Sequence, residues 1–402
     1  MTYDFTTMMD RRGRDALAVD GLGMLPGVPG APKEGFDAIP MWVADMNFPA
    51  LPTITEAIME RVTHPSFGYF LPSEAYFDAI IGWQKARNGV SGLTKDAIGY
   101  ENGVLGGVVS ALNVLCSKGD KVLVHAPTYI GFTGTLENNG YELVLSPLVK
   151  DEAGVWRMDF ADMEQKLRTQ HIHAAVFCSP HNPTGRVWER WELEQMMALF
   201  EKYGVFVVSD EIWSDLTLPE YQHIPTQSVS ADASQRTVAL YAPSKTFNLA
   251  GLVGSYHIIY NDWLRDRVDK EASLSHYNAM NVLWMHALIG AYRPEGQVWV
   301  DELRQVLGDN VALACETIRD RFAGVDVSQP QGTYMLFVDC SEWCAAHGKS
   351  IEDVLHACWD VGVAVQDGRP FHGSCHLRMN LALPHSRVEE AFERLERYVF
   401  CD

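Results

Sequence analysis

From about residue 100 onward, short apolar runs rich in β-branched residues alternate with longer stretches in which apolar residues recur at helical spacing. The runs cover residues 121–126, 142–148, 174–179, 205–209, 237–241 and 255–260. Continuous apolar runs of this length, separated by helical segments, are typical of strands buried on both faces of a mostly parallel sheet. The pattern therefore predicts an α/β core in the middle of the chain.

The pattern changes after about residue 290. A long helical stretch at 298–322 leads to shorter strand-like and helical segments, which indicate a smaller α+β domain. Glycine and proline are frequent around 21–40, which is typical of an irregular arm. We therefore expect an N-terminal arm at 1–47 that joins the small domain, a large domain at 48–290 and a small C-terminal domain at 291–402.

Charge and composition exclude some classes of partner. The chain has 402 residues, and its 32 basic and 52 acidic residues give a formal net charge of -20. Such a field repels nucleic acid and anionic membrane, so we expect neither as a partner. No apolar run approaches the ~20 residues needed to span a bilayer, and no apolar leader segment is visible.

The eight cysteines are scattered along the chain, several of them in apolar stretches. This usage indicates buried thiols in a reducing compartment, so we expect a cytoplasmic protein. Cys340 and Cys344 are four residues apart, but no second pair or histidine cluster at zinc spacing accompanies them. We therefore expect no bound metal.

Polar residues stand directly after three of the apolar runs. Asn182 follows the third run, Asp210 follows the fourth, and Ser244 and Lys245 follow the fifth. Because ligands in open α/β sheets gather beyond the carboxyl ends of the strands, these groups are expected to converge at one edge. Each one alone also fits an ordinary turn, helix cap or surface position. Their joint placement favours a single site.

Residues 103–107, with the sequence GVLGG, open an amphipathic helical stretch. Glycines at a helix start let free backbone N–H groups and the positive end of the helix dipole approach a phosphate, although small residues there also serve packing. The segment lacks the Gly-x-Gly-x-x-Gly spacing of a dinucleotide site, and no P-loop motif occurs. The sequence therefore argues against a nicotinamide oxidoreductase.

These elements together resemble the fold-type I enzymes that use pyridoxal 5'-phosphate (PLP), the aminotransferase superfamily, over roughly residues 40–400. Within it, the chain is most similar to the cystathionine β-lyase branch of C–S lyases. The stretches that carry the resemblance are 41–46 (MWVADM), 67–69 (FGY), 179–185 (SPHNPTG), 209–212 (SDEI), 244–252 (SKTFNLAGL) and 377–380 (LRMN). The resemblance implies PLP as cofactor, a large domain with a mostly parallel seven-stranded sheet between helices, and a smaller α+β domain.

The resemblance also implies a role for each site residue. Lys245 would bind the cofactor as a Schiff base and take the Cα proton of the substrate, and Asp210 would pair with the pyridine nitrogen. Asn182 would hydrogen-bond the phenolic oxygen of the cofactor, and Tyr129 would stack on its ring. Arg378 would bind the substrate α-carboxylate, unless it serves as a structural ion pair.

The cofactor phosphate would be held by the backbone N–H groups of Val104 and Leu105 and by the Ser244 hydroxyl. Tyr69 matches a tyrosine that reaches the phosphate from the neighbouring subunit, so the active unit is expected to be a homodimer. Trp213 stands where many aminotransferases have a tyrosine, and its indole N–H can donate a hydrogen bond but not accept one. It either reaches the phenolic oxygen or walls the pocket.

Val253 stands eight residues after the lysine, where many aminotransferases carry a phosphate-binding arginine. The resemblance to the C–S lyase branch implies that this arginine is missing. His372 and His376 lie shortly before the arginine at position 378, and they either shape the substrate pocket or belong to an exposed loop. The small-molecule substrate implied by the resemblance is an amino acid.

The leading expectation for the reaction is α,β-elimination from L-cystathionine or a related L-cysteine S-conjugate, which yields a thiol, pyruvate and ammonia. An aminotransferase needs the same residues, so residue types alone do not decide between the two reactions. A non-catalytic PLP-binding regulatory protein is an alternative of a different class, although the sequence has no basic helix-turn-helix extension.

Overall fold

The computed structural model describes residues 1–274 and 278–401. Its strands, numbered in chain order, are β1 (Ile39–Pro40), β2 (Ile98–Glu101), β3 (Lys121–Ala126), β4 (Glu142–Lys150), β5 (Trp156–Met158), β6 (Ile172–Cys178), β7 (Phe206–Asp210), β8 (Thr237–Tyr241), β9 (Ser255–Ile258), β10 (Asp326–Val327), β11 (Met335–Asp339), β12 (Val363–Ala364), β13 (Gln366–Asp367) and β14 (His376–Asn380).

The helices are α1 (Leu17–Asp20), α2 (Pro52–Thr63), α3 (Glu74–Asn88), α4 (Gly103–Leu115), α5 (Ile130–Asn138), α6 (Phe160–Thr169), α7 (Arg190–Tyr203), α8 (Ala231–Arg236), α9 (Pro243–Thr246), α10 (Asp262–Leu274), α11 (Val282–Ala291), α12 (Pro294–Arg321), α13 (Ser341–His347), α14 (Ile351–Asp360) and α15 (His385–Tyr398). None of these described helices combines the length and apolar character that crossing a bilayer requires.

The large sheet has the strand order β2-β9-β8-β7-β6-β3-β4-β5. Strands β8, β7, β6, β3 and β4 run parallel. Strand β9 is antiparallel to β2 and β8, and β5 is antiparallel to β4. The predicted mostly parallel α/β sheet is confirmed, but the predicted count of seven strands is one too low. The additional edge strand, β5, has three residues, which is too short to show a periodic pattern.

Both faces of the large sheet are covered by apolar side chains. In β3, Val122 packs in one hydrophobic cluster and Leu123 in the other, and in β6 Val176 and Phe177 divide in the same way. Because successive side chains of a strand point to opposite faces, each parallel strand contributes to two layers. This burial on both sides explains why the strands appear in the sequence as continuous apolar runs.

Helix α7 illustrates how local signals set helix boundaries. Before its first residue, the backbone N–H of Glu189 donates to the Glu192 carboxylate at 2.9 Å, as in a capping box. Gly204 ends the helix in the left-handed region at φ +69°, which glycine adopts without steric cost. Leu193 and Phe200 lie on its buried face. These local signals set the bounds of the helix at Arg190 and Tyr203.

The smaller sheet has the order β10-β11-β14-β13, and all of its neighbouring strands are antiparallel. Strand β1 of the N-terminal segment pairs in parallel with β12, so that segment contacts the C-terminal part of the chain. The predicted fold class, an α/β core with a smaller domain, is confirmed. The division of the chain at residues 47 and 290 stays a prediction.

A buried histidine joins three elements next to the first strand of the large sheet. The Nδ1 atom of His257, in β9, lies 2.9 Å from the Glu101 carboxylate, and its Nε2 atom lies 3.3 Å from that of Asp269 in α10. A Cβ atom at Gly99 would lie 2.2 Å from the imidazole ring, so the glycine leaves the ring its space. Burial lowers the pKa of His257, but its bonds to Asp269 and Glu101 outweigh this effect and raise it to about 9.

This pKa shift predicts a pH-dependent stability. Because the folded-state pKa of His257 lies above its ordinary value of 6.5, its contribution is complete below pH 6.5 and lost as the pH rises through about 9. The contribution is at most ~3 kcal/mol at about 1.4 kcal/mol per pKa unit, less what solvent screens at half-exposed Asp269. We expect His257→Gln to lower the unfolding free energy at pH 6 and to have little effect at pH 10.

Chemical denaturation at pH 6, 8 and 10 measures this difference. His173→Gln is a suitable control, because His173 is an exposed histidine on the same sheet. A stability difference between parent and His257→Gln that stays constant from pH 6 to pH 10 would contradict the prediction.

Candidate active site

The carboxyl ends of β8, β7, β6 and β3 meet at one edge of the large sheet and border a cavity of about 300 Å³. Its walls come from the N-terminal segment, from loops after these strands and from the start of α4. The lining residues are Ala44, Asn102, Gly103, Val104, Leu105, Tyr129, Cys178, Asn182, Asp210, Ile212, Trp213, Ser244, Lys245, Ala250, Val253 and Gly254. Of the residues expected from the sequence, all but Tyr69 and Arg378 line this cavity.

Asp210 ends β7 and is almost completely buried. Its Oδ1 atom accepts a hydrogen bond from the backbone N–H of Ile212 at 3.1 Å. Burial raises the pKa of Asp210 to about 7, against the lowering effects of the Ile212 bond and the Lys245 charge, and the Glu211 charge raises it further. A positively charged N–H donor placed in the cavity would therefore stabilise the ionised carboxylate.

The carboxylate of Glu211, next in the chain, is fully buried and fully engaged. It accepts hydrogen bonds from the His223 ring, the Tyr241 hydroxyl, the Ser209 hydroxyl and the backbone N–H of Thr226 at 2.5–3.0 Å. Burial raises the pKa of Glu211, but the charge of His223 and these bonds outweigh it and lower the value. The ionised Glu211 carboxylate therefore fixes the end of β7. All of its hydrogen bonds go to protein groups, and the residue does not line the cavity.

Lys245 lies in α9, shortly after β8, and its Nζ atom donates to the Ala44 carbonyl at 2.9 Å. Burial lowers the pKa of Lys245 to about 8, and the charge of Arg378 lowers it further, against the effects of Asp45 and Asp210. The cavity therefore contains an amine and a carboxyl group whose pKa values move toward each other. Such opposed shifts are characteristic of catalytic sites.

Asn182 follows β6 and is 3% exposed. Its side-chain oxygen, Oδ1, has no hydrogen-bond partner among the described residues. An unpaired buried amide costs free energy, so its position on a cavity wall indicates a polar ligand.

Trp213 forms a wall of the same cavity. The centre of its ring lies 5.8 Å from Lys245 Nζ, and the ring meets Tyr334 edge-on at 4.8 Å. Of the two positions considered for Trp213, the structure shows the wall; a bond from its indole N–H to a ligand stays a prediction.

Tyr129 immediately precedes α5, and its ring is held edge-on to Phe132 at 5.4 Å. A Cβ atom at Gly131 would lie 2.3 Å from this ring, so only glycine leaves the ring in place. The backbone N–H of Thr128 donates to the Phe371 carbonyl at 3.0 Å. This bond ties the tyrosine loop to the turn that precedes β14.

The start of α4 forms one end of the cavity. The backbone N–H groups of Val104 and Leu105 belong to the first helical turn, where N–H groups lack intrahelical acceptors and the dipole is positive. The Ser244 side chain lines the same cavity. Val253, also on the wall, has φ +43°, a strained conformation for a β-branched residue of the kind that clusters at functional sites.

Arg378, in β14, does not line the cavity but lies close enough that its charge shifts the pKa of Lys245. It is 3% exposed, and its guanidinium carbon lies 4.6 Å from the centre of the Phe371 ring. Its Nε atom has no hydrogen-bond partner in the described part of the chain. No carboxylate of the described residues lies within ion-pair distance of its guanidinium, so no structural ion pair neutralises it.

Tyr69 is fully exposed and does not reach the cavity of its own chain. It lies between two other exposed apolar residues, Phe67 at 58% and Leu71 at 88%. Such a row of large apolar side chains open to solvent is typical of surfaces that bind another protein.

The two histidines near Arg378 lie outside the cavity wall that the described residues form. The His376 ring stacks on Phe337 at 4.4 Å, and burial lowers its pKa. His372 is exposed, with Nε2 3.3 Å from the Thr133 hydroxyl. Of the two interpretations for His372, the exposed loop is the one that the structure shows.

The contacts that the N-terminal segment makes around Lys245 were not foreseen from the sequence. The Asn248 side chain accepts from the Met46 N–H and donates to the Met46 carbonyl, both at 3.0 Å. Asn380, in β14, donates to the Val43 carbonyl at 2.7 Å. Residues 43–46 are thereby held beside the lysine from two sides. The only sequence signal for this is that all three segments belong to motif stretches.

Comparison with known proteins agrees with this geometry. The sequence profile of the aminotransferase class I and II family matches residues 43–395, so the chain belongs to this family. Cystathionine beta-lyase PatB of Bacillus subtilis is 32% identical over 396 residues, which cover 98% of this chain and 99% of that protein.

Two solved structures are similar over almost the whole chain. The PLP-bound C-S lyase from Staphylococcus hominis has a TM-score of 0.87 and 28% identity, with 98% of each chain covered. Cystalysin from Treponema denticola, whose structure contains a pyridoxal 5'-phosphate cofactor, has a TM-score of 0.89 and 28% identity. The match covers 99% of this chain and 98% of cystalysin.

The raised pKa of Asp210 predicts that the ligand-free protein is weakened by its own site. Because the folded-state value, about 7, lies above the ordinary 3.8, the unfolding free energy falls as the pH rises between these values. We expect ligand-free Asp210→Asn to be more stable than the parent above pH 7, by ~4 kcal/mol at most at about 1.4 kcal/mol per pKa unit. The two proteins should be similar near pH 4.

Urea denaturation of the ligand-free proteins at several pH values measures this effect. Asp320→Asn is the matched control, since it removes the same charge from an exposed position on α12. If Asp210→Asn is less stable than the parent at pH 8, the carboxyl group does not experience the desolvation described above.

Proposed function

We propose that this chain is a PLP-dependent C–S β-lyase that converts L-cystathionine or a related L-cysteine S-conjugate into a thiol, pyruvate and ammonia. The observation that carries the proposal is the cavity shared by a half-buried amine, Lys245, and a buried carboxyl group, Asp210. Similarity to a protein named cystathionine beta-lyase and to a C–S lyase structure supports elimination over amino transfer. Val253, in place of an arginine, supports the same branch.

The polar groups of the cavity fit PLP one by one. A protonated pyridine nitrogen is the cationic N–H donor that the desolvated carboxylate of Asp210 favours. The Nδ2–H group of the Asn182 side-chain amide, on the cavity wall, would donate a hydrogen bond to the phenolic oxygen. The dianionic phosphate would be held by the N–H groups of Val104 and Leu105 and by the Ser244 hydroxyl.

The Tyr129 ring, which Gly131 leaves in place, would cover the ring of the cofactor. When bound, PLP supplies an electron sink that stabilises negative charge at the substrate Cα. Trp213 closes the cavity wall near the lysine, which limits the access of water.

Lys245 would move the proton at the substrate Cα. An amine with a pKa near 8 is neutral in ~10% of molecules at pH 7, so a base is available without strongly alkaline conditions. Its bond to the Ala44 carbonyl orients Nζ. Arg378, a buried cation with no acidic partner among the described residues, would bind the α-carboxylate and so present the Cα–H bond to the amine.

We further propose a homodimer in which Tyr69 reaches the phosphate of the neighbouring subunit. Its full exposure, with Phe67 and Leu71 beside it, supports a surface that a second copy covers. The cysteines of the described residues are all free thiols, which supports a location in the cytoplasm.

The direct test is turnover of L-cystathionine by the protein loaded with PLP. We expect pyruvate and ammonia in equal amounts together with a thiol, and no need for an added keto acid. Lys245→Ala should lower the rate by about 10³-fold or more, because both the anchor and the base are lost. Coupled pyruvate detection and a thiol reagent measure the products.

Lys349→Ala, an exposed lysine, should behave like the parent. Amino transfer to a keto acid without pyruvate from cystathionine would replace the proposal by an aminotransferase. Bound cofactor without turnover of any amino acid would favour a regulatory protein.

A second test asks which subunit of the dimer supplies Tyr69 to each active site. Lys245→Ala and Tyr69→Ala proteins should each be nearly inactive, and we expect activity to return when the two are unfolded and refolded together. A hybrid dimer then contains one site with both residues intact. Random pairing predicts about a quarter of the parent activity, because half of the dimers are hybrids and each has one active site.

The same two variants, refolded separately and then mixed, give the background activity. If Tyr69 served the site of its own chain, every site in the hybrid would lack one of the two residues. Absence of recovery in the hybrid, with both proteins dimeric, would therefore contradict supply across the interface.

A further inference from the structure

The two side chains that hold the Arg378 guanidinium in place, Gln366 and Phe371, are both uncharged. Its Nη1 atom donates to the side-chain oxygen of Gln366, and its guanidinium carbon lies 4.6 Å from the centre of the Phe371 ring. An amide oxygen and an aromatic face both attract a cation without cancelling its charge. A carboxylate at either place would form a bidentate pair with the guanidinium.

The alternation of strand β13 decides which side chain faces the arginine. Gln366 is directly opposite Arg378 in the antiparallel register, and Asp367 is opposite Leu377. Because successive side chains of a strand point to opposite faces, Asp367 is directed away from Arg378. Its carboxylate pairs instead with Arg369 at 2.7 Å. The acid next in sequence is thus kept from the guanidinium.

The position of Gln366 is fixed by a hydrogen bond to the main chain of the residue before it, Val365. The indole N–H of Trp359 donates to the Val365 carbonyl at 2.9 Å, which fixes the start of β13. The Nε atom of Arg378 remains without a partner among the described residues. A buried cation with an open donor is costly unless a ligand supplies the anion.

We propose that Gln366 is a positioning residue, which holds Arg378 through a neutral contact so that its charge stays available for the substrate α-carboxylate. This inference deepens the proposed function and rests on it for the identity of the ligand as an amino acid. Gln366 does not act on the reacting atoms; it sets the direction and the net charge of the group that does. A glutamate at this position would keep the shape of the contact and remove the charge.

The test measures binding of L-alanine, which has no β-leaving group, to the PLP-loaded enzyme. The change in visible absorption of the bound cofactor gives the Kd without elimination. L-alaninamide, which lacks the carboxylate, is the comparison ligand. The parent should prefer L-alanine over L-alaninamide by about tenfold or more, as expected for a charge-assisted pair.

Gln366→Glu should abolish this preference by weakening L-alanine about tenfold while leaving L-alaninamide largely unchanged. Gln366→Met removes the contact but adds no charge, so it should keep the sign of the preference and weaken L-alanine by a smaller factor. In turnover, both variants should raise KM for L-cystathionine more than they lower kcat. Asp367→Asn, the neighbouring residue on the opposite face of β13, should keep the full preference.

Unchanged L-alanine binding in Gln366→Glu would overturn the inference, and if that variant does not fold, unchanged binding in Gln366→Met would do so. The outcome is separate from that of the proposed function. A parent enzyme that binds L-alanine with the expected preference but forms no pyruvate from cystathionine would reject the lyase and leave the role of Gln366 supported.

Discussion

The removal of two opposite charges from water into one small cavity is the constraint on which the rest of the site depends. Asp210 is buried and Lys245 is half-buried, and this desolvation moves the pKa of the acid up and that of the amine down. Neither group would be retained there for stability, since a buried pair of charges rarely stabilises a fold. The large sheet makes the arrangement possible, because neighbouring parallel strands end at the same edge and place both groups on one wall.

The surroundings of the cavity restrict how these groups move. The four bonds to Glu211 fix the end of β7 from behind, and Gly131 leaves the space in which the Tyr129 ring stands. A positive φ at Val253 shows that the local backbone accepts strain at the cavity wall. Each feature costs conformational freedom or free energy, which is typical of sites that are organised before their ligand binds.

The sequence predicts the parts of this structure that follow from local pattern. Continuous apolar runs locate the parallel strands within a few residues, and the polar residues at their ends identify Asn182, Asp210 and Lys245. The pattern of apolar and polar residues does not predict contacts between segments that are distant in the sequence. The edge strand β5 is too short to have a period, and the partner of Arg378 depends on the register of β13, which no local signal reveals.

Tyr69 illustrates a different reason for failure. Its predicted role requires a second copy of the chain, and the fold of one chain leaves it on the surface. The N-terminal segment is a third case, because its contacts with Asn248 and Asn380 are made by irregular backbone. Periodicity carries information about regular elements and none about such segments.

The contacts of the N-terminal segment have a consequence for altering the enzyme in the laboratory. Asn248 and Asn380 bind the carbonyl and N–H groups of residues 43–46, not their side chains. Lys245 likewise bonds to the main chain of Ala44. The side chain at position 44, which lines the cavity, can therefore be exchanged to alter the shape of the pocket, while the main-chain frame around the amine is conserved.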